Sequence, residues 1–510
     1  VHDTAPLSAG DSPVLFINPP LFLLAGDRRG GAGMPSGLLS IAAVLRENGY
    51  RALVYNADFD RSLERRAGER ATGMLSSCRR PGGGGRCAEE GMIWDSVRRV
   101  VAAHRPHVVG VSFATAGLDA AFDVARLVKE VDETTLVIAG GIHPTAEPEE
   151  TLSSPDFDIA VQGEGEYTAL EAIRAWEREG GWGDVAGIAY RDGGRVVRTG
   201  PRVRIDDLDQ IPIDYRELLL DIDLYPRDAL GHIWTSRGCP FKCAYCSSAI
   251  IWGGEVRFRS PGHVVDEIAL VYDRYRARAF RFIDDNFTFD PRRVAEICGL
   301  ILDRGLRLSW TCCSRADLAA RFPADVLRLM RRSGCGHICI GFESGSQQIL
   351  DSVGRGVSLE EMDRTLREMK RAGIGVHADF IIGMPGETAG SLAETFELMR
   401  QVARGARATL SIARFHPYPG TPLSAGALSG RGEAAEAASE APLLSDEEID
   451  RWFEEARRYA EDHNVRLLSR SPSYVWKRLC ECIGSPREMA GLVSTVVRSH
   501  RGRSRHPAGP

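Results

Sequence analysis

What most narrows the folds open to this chain is a rhythm in which short apolar runs alternate with amphipathic stretches, first over roughly the initial 200 residues and again from about residue 230. In the first series, strands are expected at residues 14–17, 52–55, 108–113, 136–139 and 159–161, and helices at 38–48, 93–103, 120–131 and 167–176. Leu38, Ala42 and Leu45 recur on one face of the first of these helices. Strands separated by helices of this length imply a parallel, doubly wound sheet. An Arg- and Gly-rich stretch at about 61–90, with a glycine run at 82–85, breaks the rhythm and reads as a flexible insertion.

A β-rich, then proline-bearing connector runs from about 185 to 226, with a turn signal at Asp192-Gly193-Gly194. The second series places strands at 232–235, 279–283, 307–312, 337–342, 375–382 and 408–415. Its helices include 261–275, with Val264, Ile268 and Tyr272 on one face, and 359–372, with Leu359, Met362, Leu366 and Met369. Six such units predict a partial (β/α)6 barrel with its chemistry at the C-terminal ends of the strands. Residues 424–442 read as a linker, and 445–463 as an amphipathic helix that Ser445 and Glu448 close with a capping box. The expected organisation is an α/β chain: a Rossmann-like domain at 12–200, a connector at 201–230, the barrel at 231–423, the linker at 424–442, a small helical region at 443–500 and a basic tail at 501–510.

Charge removes several classes of function. The 64 basic and 70 acidic residues leave a net charge of −6, too near neutral for electrostatic capture of nucleic acid or an anionic membrane. No apolar run approaches the roughly 20 residues of a membrane-spanning helix. The apolar stretch at 14–24 is cut by Asn18-Pro19-Pro20 and follows no basic region, so it does not read as a signal peptide, and a cytoplasmic protein is expected. In that setting twelve cysteines point to metal or redox chemistry more than to disulfides. Cys239, Cys243 and Cys246 crowd together, whereas the other nine are scattered or paired.

The crowded cysteines belong to Thr235-Ser236-Arg237-Gly238-Cys239-Pro240-Phe241-Lys242-Cys243-Ala244-Tyr245-Cys246, a tight loop after the first barrel strand. Thiolates hold iron–sulfur clusters. A four-iron cube has four corners and only three ligands are local, which leaves one iron open to a small molecule, as catalytic rather than structural sites require. A zinc site more often draws on two separated pairs.

This string resembles the radical S-adenosylmethionine (SAM) superfamily, and the resemblance extends over about 231–423. It implies that Cys239, Cys243 and Cys246 hold a [4Fe–4S] cluster whose open iron is chelated by the amino and carboxylate groups of SAM. Tyr245 then lies near the adenine, or simply packs. Asp284 and Asp285, in Phe282-Ile283-Asp284-Asp285-Asn286-Phe287, meet the methionine end of SAM, or cap the next helix. Arg315 anchors SAM or substrate, or makes a surface ion pair. Glu343 and Ser344, in Gly341-Phe342-Glu343-Ser344-Gly345, contact the ribose or amine, or cap a helix. Gly383, in the turn 382–388, lets backbone approach the adenosine, or only makes the turn. The proline-rich segment 417–422 closes the barrel.

Ahead of this, small residues stand at strand ends, where open sheets bind ligands: Ser112, Gly140-Gly141-Ile142-His143 and Gly163-Glu164-Gly165-Glu166. Met34-Pro35-Ser36-Gly37-Leu38-Leu39 opens the first helix. Taken together these resemble the cobalamin-binding domain that precedes some radical SAM barrels, in the branch of carbon and phosphorus methyltransferases and the anaerobic magnesium-protoporphyrin cyclase. The resemblance implies cobalamin contacts at Asn18, Pro19, Pro20, Ser112, Gly140, Gly141, His143, Gly163, Glu164 and Gly165. The Asp-x-His-x-x-Gly motif that ligates cobalt in many cobalamin enzymes is absent, so a base-off cobalamin without a histidine ligand is expected, its lower face covered by the loop 18–21. A lone histidine such as His143 more often hydrogen-bonds locally than binds metal.

The activity implied is methyl transfer. One SAM makes methylcobalamin and another yields a 5′-deoxyadenosyl radical. The acceptor is an unactivated carbon, or in second place a phosphorus, of a small molecule from specialised metabolism, and flavodoxin or ferredoxin supplies electrons. The alternative is oxidative cyclisation or rearrangement without methyl transfer. Methylthiotransferases carry three further cluster cysteines upstream, where this chain has only Cys78 and Cys87. A cobalamin sensor would have no use for the cysteine loop. By period-two alternation His337, Cys339 and Glu343 share one side of their strand, as do His377 and Asp379, while Cys312 and Cys313 end the third strand. These either touch substrate or form a polar layer in the barrel.

Overall fold

The computed structural model describes residues 13–21, 33–59, 88–405, 407–424 and 444–468. Most of the expected insertion, with Cys78 and Cys87, lies outside the described residues, as do the linker beyond Ser424 and the basic tail. The chain divides into two compact units, one made of Val1–Asp285, Gly299–Ser309 and Pro417–Ala425, the other of Asn286–Cys298, Trp310–His416 and Gly426–Pro510. The expected boundary at 230 falls inside the first.

The first unit opens with β1 (Val14–Asn18), α1 (Ser36–Glu47), β2 (Ala52–Asn56), α2 (Ala88–His104), β3 (Val108–Ser112), α3 (Leu118–Val131), β4 (Leu136–Gly140), α4 (Ile142–Ala146), β5 (Ile159–Val161), α5 (Glu166–Glu177), β6 (Ile188–Asp192) and β7 (Arg195–Arg198). These make a seven-stranded sheet of order β2-β1-β3-β4-β5-β6-β7. Strands β1 to β5 pair in parallel, as expected, but β6 and β7 add an antiparallel hairpin. The signal placed in the connector explains it. Gly193 and Gly194 have φ of 52° and 81°, the left-handed pair that a two-residue hairpin turn needs.

Both faces of the sheet are buried, and β1 shows how. Val14 and Phe16 enter one core with Leu39 and Ala42 of α1 and Ile173 of α5; Leu15 and Ile17 enter the other with Val97 of α2 and Val124 and Val128 of α3. Side chains that alternate by two feed both layers, and each buried aliphatic contributes about 2 kcal/mol.

The same unit continues through β8 (His232–Ile233), β9 (Ser236–Arg237), α6 (Ser248–Trp252), β10 (Arg257–Phe258), α7 (Pro261–Arg274) and β11 (Ala279–Phe282). Strand β11 pairs with β8 in parallel, and β10 with β9 antiparallel. The strand expected over 232–235 is cut to two residues. The Asp284 carboxylate takes hydrogen bonds from the Thr235 amide and hydroxyl and from the Ser236 hydroxyl, which draws the chain out of the ladder. On α7 the inward residues are Val264, Val265, Ile268 and Val271, with Tyr272 half-buried beside them. The connector is held by a fully buried ion cluster: Glu267 accepts from Tyr215 at 2.7 Å, Arg216 at 2.8 Å and Arg259 at 2.6 Å.

The second unit carries β12 (Ser309–Arg315), α8 (Ala316–Arg321), α9 (Ala324–Arg332), β13 (Cys335–Glu343), α10 (Gln347–Ser352), α11 (Leu359–Ala372), β14 (Gly375–Ile382), α12 (Ala389–Arg404), β15 (Ala408–Arg414) and α13 (Asp446–Leu468). Strands β12 to β15 are parallel neighbours in chain order. Strand β12 starts later than expected and runs on to Arg315, so Cys312 and Cys313 lie inside it rather than at its end. Helix α11 has the expected bounds because both ends are signalled: Ser358 and Glu361 form a capping box, and Gly373 closes it at φ 68°. Its inward stripe is Met362, Thr365 and Met369; Leu359 is exposed and Leu366 half-buried, because they flank the stripe rather than form it. Helix α13 has the expected box, with Ser445 and Glu448 exchanging hydrogen bonds. Among the described residues no helix is long and apolar enough to cross a membrane.

Candidate cofactor site

Between β1 and β3 the strand order reverses, and a doubly wound sheet opens a crevice at the C-terminal ends of its strands at such a point. A cavity of about 440 Å³ lies there. Its wall is built from Asn18 of β1 and Pro19 after it, Ser112 of β3, Gly140 of β4 and Gly141 after it, Gly163, Glu164 and Gly165 after β5, and Gly37 and Leu38 of α1. At Gly37, Gly140 and Gly163 an added Cβ would meet no protein atom within 4 Å, so bare backbone faces the hollow. Gly141 has φ 102°, and a Cβ there would come within 2.6 Å of the Phe113 carbonyl oxygen. A broad, mainly apolar hollow with a glycine wall suits a flat macrocycle such as a corrin.

Two residues grouped with this wall in the sequence are not in it. Pro20 is buried beside it, and Leu21 lines the cavity instead. His143 is fully buried on α4, stacked on Phe113 with centroids 5.8 Å apart, and its Nδ1 lies 3.2 Å from the Thr115 hydroxyl. Its Nε2 is 3.4 Å from Glu150, and burial pushes the imidazole pKa down. A residue's place after a strand does not fix where its side chain goes; the turn of α4 sends this one away from the cavity.

The cysteine loop leaves β9 through Gly238, at φ 96°, where a Cβ would lie 2.0 Å from the Glu255 carbonyl oxygen. Cys239 is half-buried, Cys243 buried and Cys246 exposed, and the Cys246 amide donates to the Cys243 carbonyl at 3.1 Å. Tyr245 is half-buried between them. Among the described residues no three His, Cys, Asp or Glu gather tightly enough for a single metal ion. A cube asks for something else, one thiolate on each of three irons, and three cysteines on one loop meet that need. Surrounding protein pushes the Cys246 thiol up, with the Ser248 amide pulling the other way.

Asp284 is committed to Thr235 and Ser236, and so braces the start of the loop. Asp285 is open instead. It accepts from the Ser248 hydroxyl at 2.9 Å and lines a second cavity of about 140 Å³ with Trp234, Ser236, Arg237 and Trp252. Desolvation by the concave wall, then the neighbouring Asp284 charge, raise its pKa.

In the second unit Arg315 is buried, not on the surface, and donates to Asp317 at 2.9 Å and to the Arg355 carbonyl. Glu343 ends β13 at φ 66° with Arg355 3.4 Å away, beside an irregularity in the β13–β14 register. Ser344 is buried 3.1 Å from the Thr395 hydroxyl. Gly383, at φ 94°, donates its amide to Glu387 at 2.6 Å; burial pushes that carboxyl up to about 7. Strand register aligns Cys313, Cys339, His377 and Thr409 in one row, and His377 meets Thr409 at 2.7 Å. Cys312 faces the other way and is buried.

Sequence reasoning passed over Arg237, Arg257, Glu166 and Ser40. Glu164 stands in the cavity wall, yet its carboxylate is taken up by Arg237 at 2.7 Å and Arg257 at 2.9 Å, and Glu166 by Arg237 and Ser40. The signal was present in two acids spaced by one glycine, in a turn against a packed sheet: buried carboxylates require cations.

Residues 234–399 match the radical SAM superfamily and residues 84–173 the B12 binding domain. With the cysteine loop inside the first match and three of the strand-end turns inside the second, the chain belongs to the radical SAM, cobalamin-binding methyltransferase family, an α/β fold with parallel sheets whose cofactors are a [4Fe–4S] cluster, SAM and cobalamin. An uncharacterized methyltransferase of Pyrococcus horikoshii is 32% identical over 66% of this chain and 72% of its own. The anaerobic magnesium-protoporphyrin IX monomethyl ester cyclase of Rubrivivax gelatinosus is 32% identical over 60% of this chain and 56% of its own, so this chain spans just over half of that enzyme. The fold matches the cobalamin-dependent SAM radical enzyme OxsB, solved with aqua-cobalamin and SAM bound, at a TM-score of 0.69 with 17% identity, covering 97% of this chain and 72% of that one.

Proposed function

We propose that this protein transfers a methyl group to an unactivated carbon, or in second place a phosphorus, of a small molecule of specialised metabolism. One observation carries the reading: a glycine-walled cavity and a three-cysteine loop lie in one compact unit, and Arg237, two residues before Cys239, stands in the cavity wall and donates to Glu164. When bound, the cluster and SAM supply a 5′-deoxyadenosyl radical, and cobalamin supplies a transferable methyl group. This chain's residues hold and orient these groups. Cys239, Cys243 and Cys246 ligate the cluster, and Tyr245, Asp285, Arg315, Glu343, Ser344 and Gly383 receive SAM, with Asp284 bracing the loop beneath. Gly140, Gly141, Gly163 and Gly165 let the corrin reach backbone, flanked by Asn18, Pro19 and Ser112. The cobalamin is base-off without a histidine ligand; among the described residues of the cavity wall there is no histidine. A flavodoxin or ferredoxin in the cytoplasm supplies the electrons.

A second reading, oxidative cyclisation without methyl transfer, is favoured by the identity to the cyclase. Product bookkeeping separates the two. Anaerobic turnover with cobalamin, SAM, a low-potential reductant and candidate substrates yields S-adenosylhomocysteine and 5′-deoxyadenosine together with a product heavier by one methylene if a methyl is transferred. 5′-Deoxyadenosine without S-adenosylhomocysteine, formed together with a substrate-derived product that carries no added methyl, establishes the second reading and discards the first.

A further inference from the structure

Arg237 stands in the walls of both cavities of the first unit, the glycine-walled one and the smaller one with Asp285. It precedes Cys239 by two residues, and Gly238 between them, at φ 96°, admits no side chain, since a Cβ would lie 2.0 Å from the Glu255 carbonyl oxygen. The guanidinium donates through Nη1 to Glu164 at 2.7 Å and through Nη2 to Glu166 at 2.5 Å, and it lies 4.4 Å from the centre of the Trp234 ring and 5.2 Å from that of Trp252. Ser40 of α1 donates to the same Glu166 oxygen at 2.7 Å. Arg257, opposite Arg237 in the β9–β10 pair, holds Glu164 through both terminal nitrogens, at 2.9 and 3.1 Å. The Ile205 amide completes the set at 2.9 Å. Glu164, Glu166 and Arg237 are buried, and the Arg257 side chain is 9% exposed.

Two carboxylates face two guanidiniums, so the cluster has no surplus charge with which to draw an ion. What it does is mechanical. The turn after β5 that walls the corrin cavity and the ribbon that launches the cysteine loop are tied to the same few atoms. A buried network in which each carboxylate is held by at least two donors has few alternative arrangements, so strain at one end reaches the other.

We propose that Arg237 is a positioning residue through which the occupant of the glycine-walled cavity and the cluster on Cys239, Cys243 and Cys246 set each other's affinity. This rests on the cofactor reading above. Such coupling is reciprocal: if the cluster tightens cobalamin, cobalamin tightens the cluster. Lysine cannot take over the role, because it offers one nitrogen where the planar fork gives a separate nitrogen to each carboxylate.

The test measures the dissociation constant of hydroxocobalamin by anaerobic absorbance titration of the full chain, with and without the reconstituted cluster. In the wild type the two constants differ by about five-fold or more; in Arg237→Lys the ratio falls towards one, and Glu166→Gln, which keeps the shape and removes one charge, moves it the same way. Adding cobalamin shifts the electron paramagnetic resonance signal of the reduced cluster in the wild type and not in these variants. Arg198→Lys, at an exposed pair with Glu149, keeps the wild-type ratio. A wild-type ratio of one overturns the linkage, as do variants that load both cofactors and retain the wild-type ratio. Should circular dichroism show Arg237→Lys unfolded, Glu166→Gln decides. Wild-type protein that takes up no cobalamin at all overturns the cofactor reading and the linkage with it, a result distinct from equal affinity with and without the cluster.

Discussion

Gly37 sits in the first turn of α1, a place where glycine weakens a helix by about 1 kcal/mol relative to alanine. Its value lies elsewhere: it lines the cavity, and a Cβ there would meet no protein atom within 4 Å. Gly37→Leu is therefore expected to leave the melting temperature unchanged or raise it, while cobalamin uptake, followed by absorbance after gel filtration, drops. Gly238→Ala should do the opposite kind of damage, because the new methyl meets the Glu255 carbonyl at a left-handed φ; reconstituted iron per chain falls together with thermal stability. At this scale the sequence was most readable where chemistry is contiguous. Three cysteines on one loop and glycines at the ends of β4 and β5 name themselves. The direction of a side chain does not, which is why His143 and Pro20 were grouped with a wall they do not line.

Among elements, the turn after β14 shows how a loop is held from within. Glu387 ties the Gly383 amide with a buried carboxyl whose pKa burial lifts to about 7, above its ordinary 4.5. A carboxyl raised on folding binds its proton more tightly in the native state. Its contribution is most favourable below about pH 4.5 and is lost as pH rises through 7. Over that window the loss is about 3 kcal/mol, at about 1.36 kcal/mol per unit. Glu387→Gln removes this slope, so the variant's melting temperature relative to wild type should be higher at pH 8 than at pH 5; an equal difference at both would dismiss the proposed ionisation. Ser358→Ala should lower stability by about 1 kcal/mol in a denaturant titration, because it breaks the capping box of α11. Elements bounded by such local signals, α11 and β14 among them, were legible to the residue. Strand β8 was not, since a carboxylate some fifty residues along the chain, Asp284, ends it.

Across the molecule, long-range ion clusters replace local signals. The Glu267 carboxylate joins the connector to α7 and to the segment just after β10 by neutralising Arg216 and Arg259 where no water reaches. Glu267→Gln strands two buried cations and is expected to cost about 3–5 kcal/mol in urea unfolding. The exposed Arg198–Glu149 pair, broken by Glu149→Gln, should cost less than about 1 kcal/mol. A near-equal effect would mean that the buried cluster relaxes freely. No sequence pattern announces partners this far apart, so the sequence marks the connector without revealing that it is a clamp.

The sheet of the first unit finishes at β7, whose outward rim offers hydrogen-bonding groups to any passing strand. Arginines 195 and 198 bracket its two valines, and the strand is only four residues long. Arg195 and the Arg198–Glu149 pair are exposed on it, so two copies meeting rim to rim would have to strip water from these charges before they could stitch together. That guard keeps molecules apart, and neutralising both arginines should turn a clear preparation into fibrous precipitate, followed by light scattering.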